Sequence, residues 1–400
     1  MATLLIFLAT YAIVAVGRVP FLRLDRTGAA IVGAVLMIVT GAIGFDQAAR
    51  AVDYRTLVLL FGMMVLIAHL RLAGGLAALG EFVGRRVTHP AALLAAIVAS
   101  SGILSALFVN DTVCLVFTPL VLDVVAARRL RPLPFLLALA TASNIGGLAT
   151  MTGNPQNMLI GTASGIPFRA FSSALAPVAG AGLLIDVALL WLVFRRDLQP
   201  TAPTATPALP VPVDRPQLIK TAIVAVGVLT GFLAGYDTAL VAASGAAALL
   251  ITRRVQPAQI YAAIDWDLLM LFIGLFVVIG AVSQAGIDQR LFALLQPLGL
   301  QTVAGLSATA AILANTISNV PTVMLFTALV PKLPDAGRAW LVLAMASTLA
   351  GNLTLVGSIA NLIVVEGAQR RGITVSFGEY ARVGVPLTLA TLAVGIWWLS

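Results

Sequence analysis

Ten long apolar segments, separated by short polar stretches, constrain the fold of this chain more than any other feature of its sequence. They lie at 2–16, 27–45, 54–71, 133–165, 172–194, 218–234, 236–252, 266–283, 339–365 and 383–399. A helix needs about 20 apolar residues to cross the hydrocarbon of a bilayer, where backbone polar groups must be paired within the segment. The sequence therefore predicts an all-α integral membrane protein with about ten transmembrane helices, surrounded by lipid in the inner (plasma) membrane.

Composition excludes the soluble classes of protein. Of the 400 residues, 60% are hydrophobic and 10% are charged, whereas about 25% are charged in soluble domains. The net charge of +8 comes from basic residues between the apolar segments, which are typical topology signals. We therefore expect no nucleic-acid partner. The single cysteine, Cys114, rules out an intramolecular disulfide and a cysteine-built metal site.

The two halves of the chain resemble each other in three separate blocks, which is hard to obtain by chance. The alignment pairs Asp53 with Asp265, Gly62 with Gly274, Asn110 with Asn319, Gly153 with Gly357 and Asn157 with Asn361. A polar, proline-rich stretch at 195–217 separates the halves and predicts a linker. The predicted organisation is a first repeat at 1–194, a linker at 195–217 and a second repeat at 218–400.

Each half also contains an apolar stretch, at 91–127 or 303–331, that polar residues interrupt near its centre. Two arms of about 15–18 residues are marginal as separate spans, so each stretch is predicted to form a re-entrant hairpin. Five crossings remain in each half. Because five is odd, the second repeat must enter the membrane with inverted topology.

The basic residues orient this topology. Eighteen of the 24 lysines and arginines fall on one side of the predicted membrane, which the positive-inside rule assigns to the cytoplasm. The linker is then cytoplasmic, and both termini lie on the non-cytoplasmic side. Hairpin 91–127 enters from the cytoplasmic side and hairpin 303–331 from the outer side, so their tips can meet at mid-membrane.

Four interruptions within apolar segments predict the functional site. A broken helix at membrane depth is tolerated only beside protein or a water-filled cavity. At one break, Asn154 is a preferred N-cap and Pro155 a preferred first helical residue. The same pattern occurs at Asp111 before Thr112, at Asn319 before Pro321 and at Ser358 before Ile359. Such residues also serve kinks and close packing, but four breaks in repeat-related pairs favour a site.

Half-helix N-termini that converge would give a pocket suited to an anion or a polar neutral solute. The residues expected to bind the solute or a coupling ion are Asn110, Asp111, Thr112, Gly153, Asn154, Asn157, Ser318, Asn319, Thr322, Gly357, Ser358 and Asn361. No protein-built metal site and no cofactor is expected. A coupling sodium ion is an open alternative to a proton, with oxygen ligands near Asn110, Gly153, Ser318 and Asn319.

Two acidic residues within apolar segments are candidates for proton coupling. Asp111 has Val320 as its repeat partner, and Asp186 has no acidic counterpart in the other half. An intramembrane carboxyl group often marks a proton or cation pathway. Asp111 could instead serve only as a helix cap, and Asp186 could face a polar cleft or a neighbouring helix. Asp53 and Asp265 precede helices and are predicted to be caps.

Motifs for chemistry are missing from the sequence. It contains no G-x-x-x-x-G-K-[ST] phosphate-binding loop and no HExxH motif, so neither ATP hydrolysis nor an enzyme is expected. No lysine or arginine falls within the four breaks. A solute would have to be held by dipoles, amides and hydroxyls, which favours a small oxyanion or an uncharged hydroxylated molecule.

Five stretches resemble the ion transporter superfamily of arsenite-efflux permeases, divalent anion/sodium symporters, citrate carriers and silicon-efflux carriers. They read "LDRTGAAIVGAVLMI", "NDTVCLVFTPLVL", "TGNPQNMLIG", "SNVPTVMLF" and "GSIANLIVV". "ND" and "N-x-P-T" look like the arsenite permeases, while "GNPQN" looks like the silicon-efflux branch. The resemblance implies a solute between the two hairpin tips and the two broken helices, an elevator motion and a homodimer.

The leading hypothesis is a secondary active transporter that exports a small anion or a metalloid hydroxide such as arsenite or silicic acid, coupled to protons through Asp111 and Asp186. The alternative is a sodium-coupled symporter that takes up dicarboxylate or citrate. In the sodium-dicarboxylate branch both tips carry Ser-Asn-Thr. Here they read Asn110-Asp111-Thr112 and Ser318-Asn319-Val320, which favours the leading hypothesis.

Overall fold

The computed structural model describes residues 1–19, 23–198 and 212–400. These residues are mostly helical, and they include one short antiparallel ribbon in which strand β1 (Arg18–Val19) pairs with strand β2 (Leu24–Asp25). Most of the linker predicted at 195–217 lies outside the described residues, since 199–211 are among those not covered.

The described part of the first half contains ten α-helices and one 3-10 helix. The α-helices are α1 Ala2–Val16, α2 Arg26–Val39, α3 Phe45–Ala51, α4 Tyr54–Leu72, α5 Gly75–Arg86, α6 Pro90–Leu107, α7 Asn110–Ala127, α8 Leu133–Gly147, α9 Pro155–Ser164 and α10 Phe168–Phe194. The 3-10 helix, Met151–Gly153, lies between α8 and α9.

The described part of the second half also contains ten α-helices. They are α11 Arg215–Leu233, α12 Thr238–Leu250, α13 Pro257–Ala262, α14 Trp266–Gln284, α15 Ile287–Leu295, α16 Val303–Ile317, α17 Asn319–Thr327, α18 Ala336–Ala350, α19 Ile359–Gln369 and α20 Phe377–Leu399. Two 3-10 helices, Gln296–Leu298 and Val330–Lys332, follow α15 and α17.

Seven of the described helices are long and apolar enough to cross a membrane, namely α4, α6, α7, α10, α11, α14 and α20. An eighth span results if Ile287–Leu298 and Val303–Ile317, which meet at an angle of 118°, count as one. A multi-pass helical membrane protein is therefore confirmed. Helices α1, α2 and α12 have 15, 14 and 13 residues; 15 residues extend only about 22 Å. The number of about ten spans stays a prediction.

All four predicted interruptions are present. Helices α8 and α9 are separated by 148–154, and α18 and α19 by 351–358, so these two apolar segments are broken helices. Between α16 and α17 only Ser318 interrupts the helix.

The first interruption differs from the prediction. It falls at Phe108 and Val109, just before Asn110, and leaves two arms of 18 residues. Both arms are long enough to cross a membrane, so arm length does not support a hairpin at 91–127. In the stretch at 303–331 the arms, α16 and α17, have 15 and 9 residues. Whether either stretch is re-entrant stays a prediction.

Corresponding helices of the two halves pack in corresponding ways. A Cβ atom added to Gly62 of α4 would lie 2.7 Å from the backbone carbon of Ala242 in α12, and one added to Gly274 of α14 would lie 2.6 Å from that of Ala30 in α2. Helix α7 packs against α19, and α17 packs against α9. Each interrupted stretch thus contacts the broken helix of the other half. The inverted orientation and the boundaries of the repeats stay predictions.

The close approaches at Gly62 and Gly274 give matched stability predictions. Each Gly→Ala variant should melt at a lower temperature in detergent, because a methyl group forced against backbone costs about 1–3 kcal/mol. Gly227→Ala is the control, since a Cβ at Gly227 of α11 meets no atom of the described residues within 4 Å. A Gly62 variant that melts like this control would contradict the packing of α4 on α12.

Candidate functional site

The side-chain amide of Asn144 in α8 contacts the start of α7, the turn between α18 and α19, and α19. This residue of α8 is 2% exposed. Its Nδ2 donates to Asn352 Oδ1 at 2.8 Å and to Asn361 Oδ1 at 3.0 Å. Its Oδ1 accepts from Asn110 Nδ2 and from Ser358 Oγ, both at 2.9 Å. One side chain therefore joins the start of α7 in the first half to the broken helix of the second half.

Backbone carbonyl oxygens fix which way the side-chain amides of this network point. Asn361 Nδ2 donates to Gly351 O at 2.8 Å and to Thr354 O at 3.2 Å. Asn352 Nδ2 donates to Thr141 O at 3.1 Å. A carbonyl oxygen only accepts hydrogen bonds, so both asparagines must turn their own oxygen atoms toward Asn144. The orientation of the Asn144 amide follows from these contacts.

The same argument orients Asn110 and leaves its oxygen atom free. Because Asn144 Nδ2 is used by two acceptors, Asn144 Oδ1 faces Asn110 and receives the Asn110 Nδ2 hydrogen. Asn110 Oδ1 is then buried without a hydrogen-bond partner among the described residues, as is Oδ1 of its repeat partner Asn319. The two residues are only 4% and 9% exposed. Buried polar atoms are almost always paired, so these two carbonyl oxygens indicate a place for a ligand.

Thr348 of α18 does for the first broken helix what Asn144 does for the second. Its Oγ1 accepts from Asn154 Nδ2 at 3.2 Å and Gln156 Nε2 at 3.4 Å, and it donates to Asn157 Oδ1 at 3.4 Å. Asn144 and Thr348 lie three residues before the end of α8 and two before the end of α18. Each half therefore provides a polar side chain that holds the break of the other half.

Hydrogen bonds within each half also close the two breaks, and they lie at corresponding positions. Asn157 Nδ2 donates to Gly147 O at 3.1 Å and to Thr150 O at 3.0 Å, as Asn361 does in the second half. A Cβ atom at Gly153 would lie 2.1 Å from Gly147 O, and one at its partner Gly357 would lie 2.8 Å from Asn315 Oδ1. These glycines are needed because the turns leave no room for a side chain.

Two of the four predicted N-caps are confirmed. Asn154 Oδ1 accepts from Asn157 N at 2.8 Å, with Pro155 as the first helical residue of α9. Ser358 Oγ accepts from Ala360 N at 3.2 Å at the start of α19. The caps predicted at Asp53 and Asp265 are confirmed as well.

The caps predicted at Asp111 and Asn319 are wrong. Helix α7 begins at Asn110 with Val109 as its N-cap, two residues earlier than predicted, so Asp111 and Thr112 lie in its first turn. Helix α17 begins at Asn319, and its N-cap is Ser318 with φ 76°. This left-handed backbone is strained for a residue other than glycine. Thr322 Oγ1 donates back to Ser318 O at 2.8 Å.

The four breaks lie together. Asn110 reaches Ser358 through Asn144, and a Cβ atom on Gly351 would lie 3.4 Å from Asn319 Nδ2. The interruptions of both stretches, just before α7 and α17, therefore lie beside the turn between α18 and α19. The first broken helix joins the same group through Thr348, three residues before Gly351.

The two predicted coupling acids occupy different places. Asp111 is half-buried, and its carboxylate forms no hydrogen bond or ion pair with the part of the chain that the structure describes. Asp186 of α10 is completely buried and lies outside the group of breaks, beside Thr141 of α8. Among the described residues, no group of three His, Cys, Asp or Glu side chains could hold a metal ion.

Sequence reasoning missed Asn144, Thr348 and Asn352, which form the centre of the network. The signal was available, since an amide side chain within an apolar segment needs a partner at membrane depth. Asn144 and Thr348 lie about one turn before the breaks, and Asn352 lies within the second break.

Comparison with known proteins agrees with this architecture. A family model described as citrate transporter (CitMHS) matches residues 9–350. The silicon efflux transporter LSI3 of Oryza sativa subsp. japonica is 32% identical, with 94% of this chain and 93% of the relative covered. An uncharacterized transporter of Mycobacterium bovis is 30% identical, with 98% and 96% covered.

A solved structure shares the fold. The YdaH transporter of Alcanivorax borkumensis aligns with a TM-score of 0.61 and 17% sequence identity, covering 99% of this chain and 95% of that one. The resemblance to the ion transporter superfamily is confirmed, as is the expectation of a transporter in place of an enzyme. The chain belongs to the citrate transporter (CitMHS) family and is a multi-pass membrane transporter.

Proposed function

We propose that this transporter exports a small hydroxylated solute, a metalloid hydroxide such as silicic or arsenous acid or a small oxyanion, in exchange for protons. The solute binds between the starts of α7 and α17 and the breaks before α9 and α19. Asp111, beside Asn110, carries a coupling proton. An elevator motion of these elements alternates access to the two sides of the membrane.

The free carbonyl oxygens of Asn110 and Asn319 carry this proposal. They accept hydrogen bonds and have none within the described residues. A metalloid hydroxide offers several O–H donors and no formal charge at neutral pH, so it can satisfy both oxygens. An ionised carboxylate offers only acceptors, and the breaks contain no lysine or arginine to pair with it. Hydroxyl groups therefore fit this site better than a dicarboxylate does.

The half-helices add a weak preference for negative charge. The first turns of α9, α17 and α19 begin within the group of breaks, and the N-terminal end of a helix carries about half a positive charge. Oxygen atoms of the solute can turn toward these ends while its hydrogens face the two asparagines. The relative named as a silicon efflux transporter supports the same class of solute.

Sodium-coupled uptake of citrate or another dicarboxylate is the second candidate. The name of the matching family favours it, and free carbonyl oxygens are also suitable ligands for a sodium ion. In that case the oxygens of Asn110 and Asn319 would be occupied by cations, and the solute would carry the negative charge.

Transport by purified protein in proteoliposomes separates the two candidates. An imposed pH gradient should drive silicic acid or arsenite, and a sodium gradient at equal pH should not drive citrate or succinate. Asn110→Ala should reduce the driven flux about tenfold, since an unmade buried hydrogen bond costs about 1–3 kcal/mol. The exposed Thr230→Val in α11 is the control. Sodium-driven citrate flux without any pH-driven flux would overturn the proposal.

A further inference from the structure

Asp186 lies in an environment that does not suit a negative charge. Its side chain is 0% exposed, and it forms no ion pair within the described residues. Helix α10 packs on α6, α8, α11, α18, α20 and the 3-10 helix Met151–Gly153. Helices α6 and α8 contain no titratable residue, and Tyr380 of α20 is the titratable group that faces Asp186. The charged residues of α11, α18 and α20 lie within the first six residues of each helix, and the 3-10 helix has none.

The hydrogen bonds around Asp186 can be counted. Thr141 Oγ1 lies 3.0 Å from Asp186 Oδ1, 2.9 Å from Asp186 Oδ2 and 2.8 Å from Leu137 O. A threonine hydroxyl has one hydrogen to donate. If it goes to Leu137 O, the bond between Thr141 and Asp186 requires a hydrogen on the carboxyl group.

The other assignment of the Thr141 hydroxyl hydrogen is energetically unfavourable. If Thr141 donates to Asp186, an ionised carboxylate is buried with a single hydrogen bond and no cation. Burying an unpaired charge costs far more than burying a neutral polar group. A protonated Asp186 instead donates to Thr141 Oγ1, which donates to Leu137 O, so both hydrogens are used. The geometry points to Asp186 as a proton-binding site of the transporter, occupied in the conformation described here.

This proton site is connected to the group of breaks through Thr141. The hydroxyl of Thr141 contacts Asp186, while its backbone oxygen accepts from Asn352 Nδ2 at 3.1 Å. Asn352 Oδ1 in turn accepts from Asn144 Nδ2. Thr141 and Asn144 are one turn apart on α8. Asp186 is thus a positioning residue, which acts on the solute site through α8 and Asn352.

A coupling mechanism follows, and this step rests on the proposed function. Because Asp186 is completely buried, its proton can leave only after α10 and α8 separate enough for water to reach the carboxyl group. Loss of the proton draws the Thr141 hydroxyl from Leu137 O to the carboxylate, and the charged site resists closing again. Movement between conformations is therefore tied to the uptake or release of one proton at Asp186.

Infrared difference spectroscopy tests the proton site without any solute. Purified wild-type protein at neutral pH should show the carbonyl stretching band of a protonated carboxylic acid. Asp186→Asn should remove the part of this band that comes from Asp186, apart from any contribution of Asp111, and Thr141→Val should shift the frequency of that part because the acid loses its acceptor. Asp123→Asn, which changes an exposed carboxylate of α7, should leave the band in place. A spectrum that Asp186→Asn does not change in this region would overturn the assignment.

Transport measurements test the coupling. Asparagine is neutral, like the protonated acid, so Asp186→Asn should keep exchange of silicic acid or arsenite at equal pH on both sides. Its flux driven by a pH gradient should fall about 5- to 150-fold, the range of a typical coupling free energy. Thr141→Ser, which keeps the hydroxyl, should retain driven flux.

The two measurements fail in distinguishable ways. Driven flux that stays normal in Asp186→Asn would overturn the coupling role, as would an equal loss of exchange and driven flux, which indicates only a structural role. Wild-type protein that moves neither solute would refute the proposed function, while the infrared band would still decide whether Asp186 binds a proton.

Discussion

Asn144→Asp is expected to lose transport almost completely, and to lose more as the pH rises. The substitution keeps an oxygen for Asn110 and Ser358 but replaces the two hydrogens that Asn144 gives to Asn352 and Asn361. Each buried acceptor left unpaired costs about 1–3 kcal/mol, and about 1.4 kcal/mol corresponds to a tenfold change. Two such losses predict that the transport flux falls roughly a hundredfold.

The dependence on pH has a definite sign. At low pH the introduced carboxyl group keeps a hydrogen and can restore one of the two bonds. At high pH it is ionised and faces the oxygens of Asn352 and Asn361, which backbone carbonyls hold in place. Flux at several pH values, each divided by that of the wild type, measures this effect. Gln301→Glu, the same chemical change on an exposed residue before α16, is the control. Normal flux in Asn144→Asp would contradict the directed network.

Gly153→Ala is expected to abolish transport and to lower the melting temperature of the protein. The added Cβ would lie 2.1 Å from Gly147 O and 2.6 Å from Gly147 Cα. Both are backbone atoms, and Gly147 O also accepts from Asn157 Nδ2. The turn before α9 must therefore open, which costs about 1–3 kcal/mol or more and displaces Asn154 and Asn157.

Gly180→Ala is the matched control for this experiment. In the part of the chain that the structure describes, a Cβ atom at Gly180 of α10 meets no atom within 4 Å. Alanine also favours a helix over glycine by about 1 kcal/mol. This variant should transport normally and melt at the same temperature as the wild type or higher. Equal melting temperatures and equal flux for Gly153→Ala and Gly180→Ala would show that the turn is not as tight as described.

Hydropathy and break residues predicted most of the fold. Apolar runs located α4, α10, α11, α14 and α20, and the Asn-Pro pair located the start of α9, because burial and capping are local properties of the sequence. The predicted start of α7 is two residues too late. Asp111 is a preferred capping residue, but Val109 takes the cap position without a side-chain bond, so that tertiary packing decided where the helix begins.

The centre of the site could not be read from the sequence in the same way. Asn144 and Asn352 lie 208 residues apart, and their bond depends on how the two halves are arranged in space. The directions of the amides depend on Gly351 O, Thr354 O and Thr141 O. Only coordinates bring these carbonyls together with Asn144 and so show which oxygen atoms are left free.

The packing of α7 on α19 and of α17 on α9 has a consequence for the origin of the chain. Each broken helix depends on a side chain of the other half. Asn144 of the first half binds the second break, and Thr348 of the second half binds the first. A half-length ancestor would have needed a second copy of itself to make these reciprocal contacts. If the predicted repeats arose by duplication, fusion of two such genes would have preserved the contacts and freed each copy to diverge, which agrees with the unmatched acids Asp111 and Asp186.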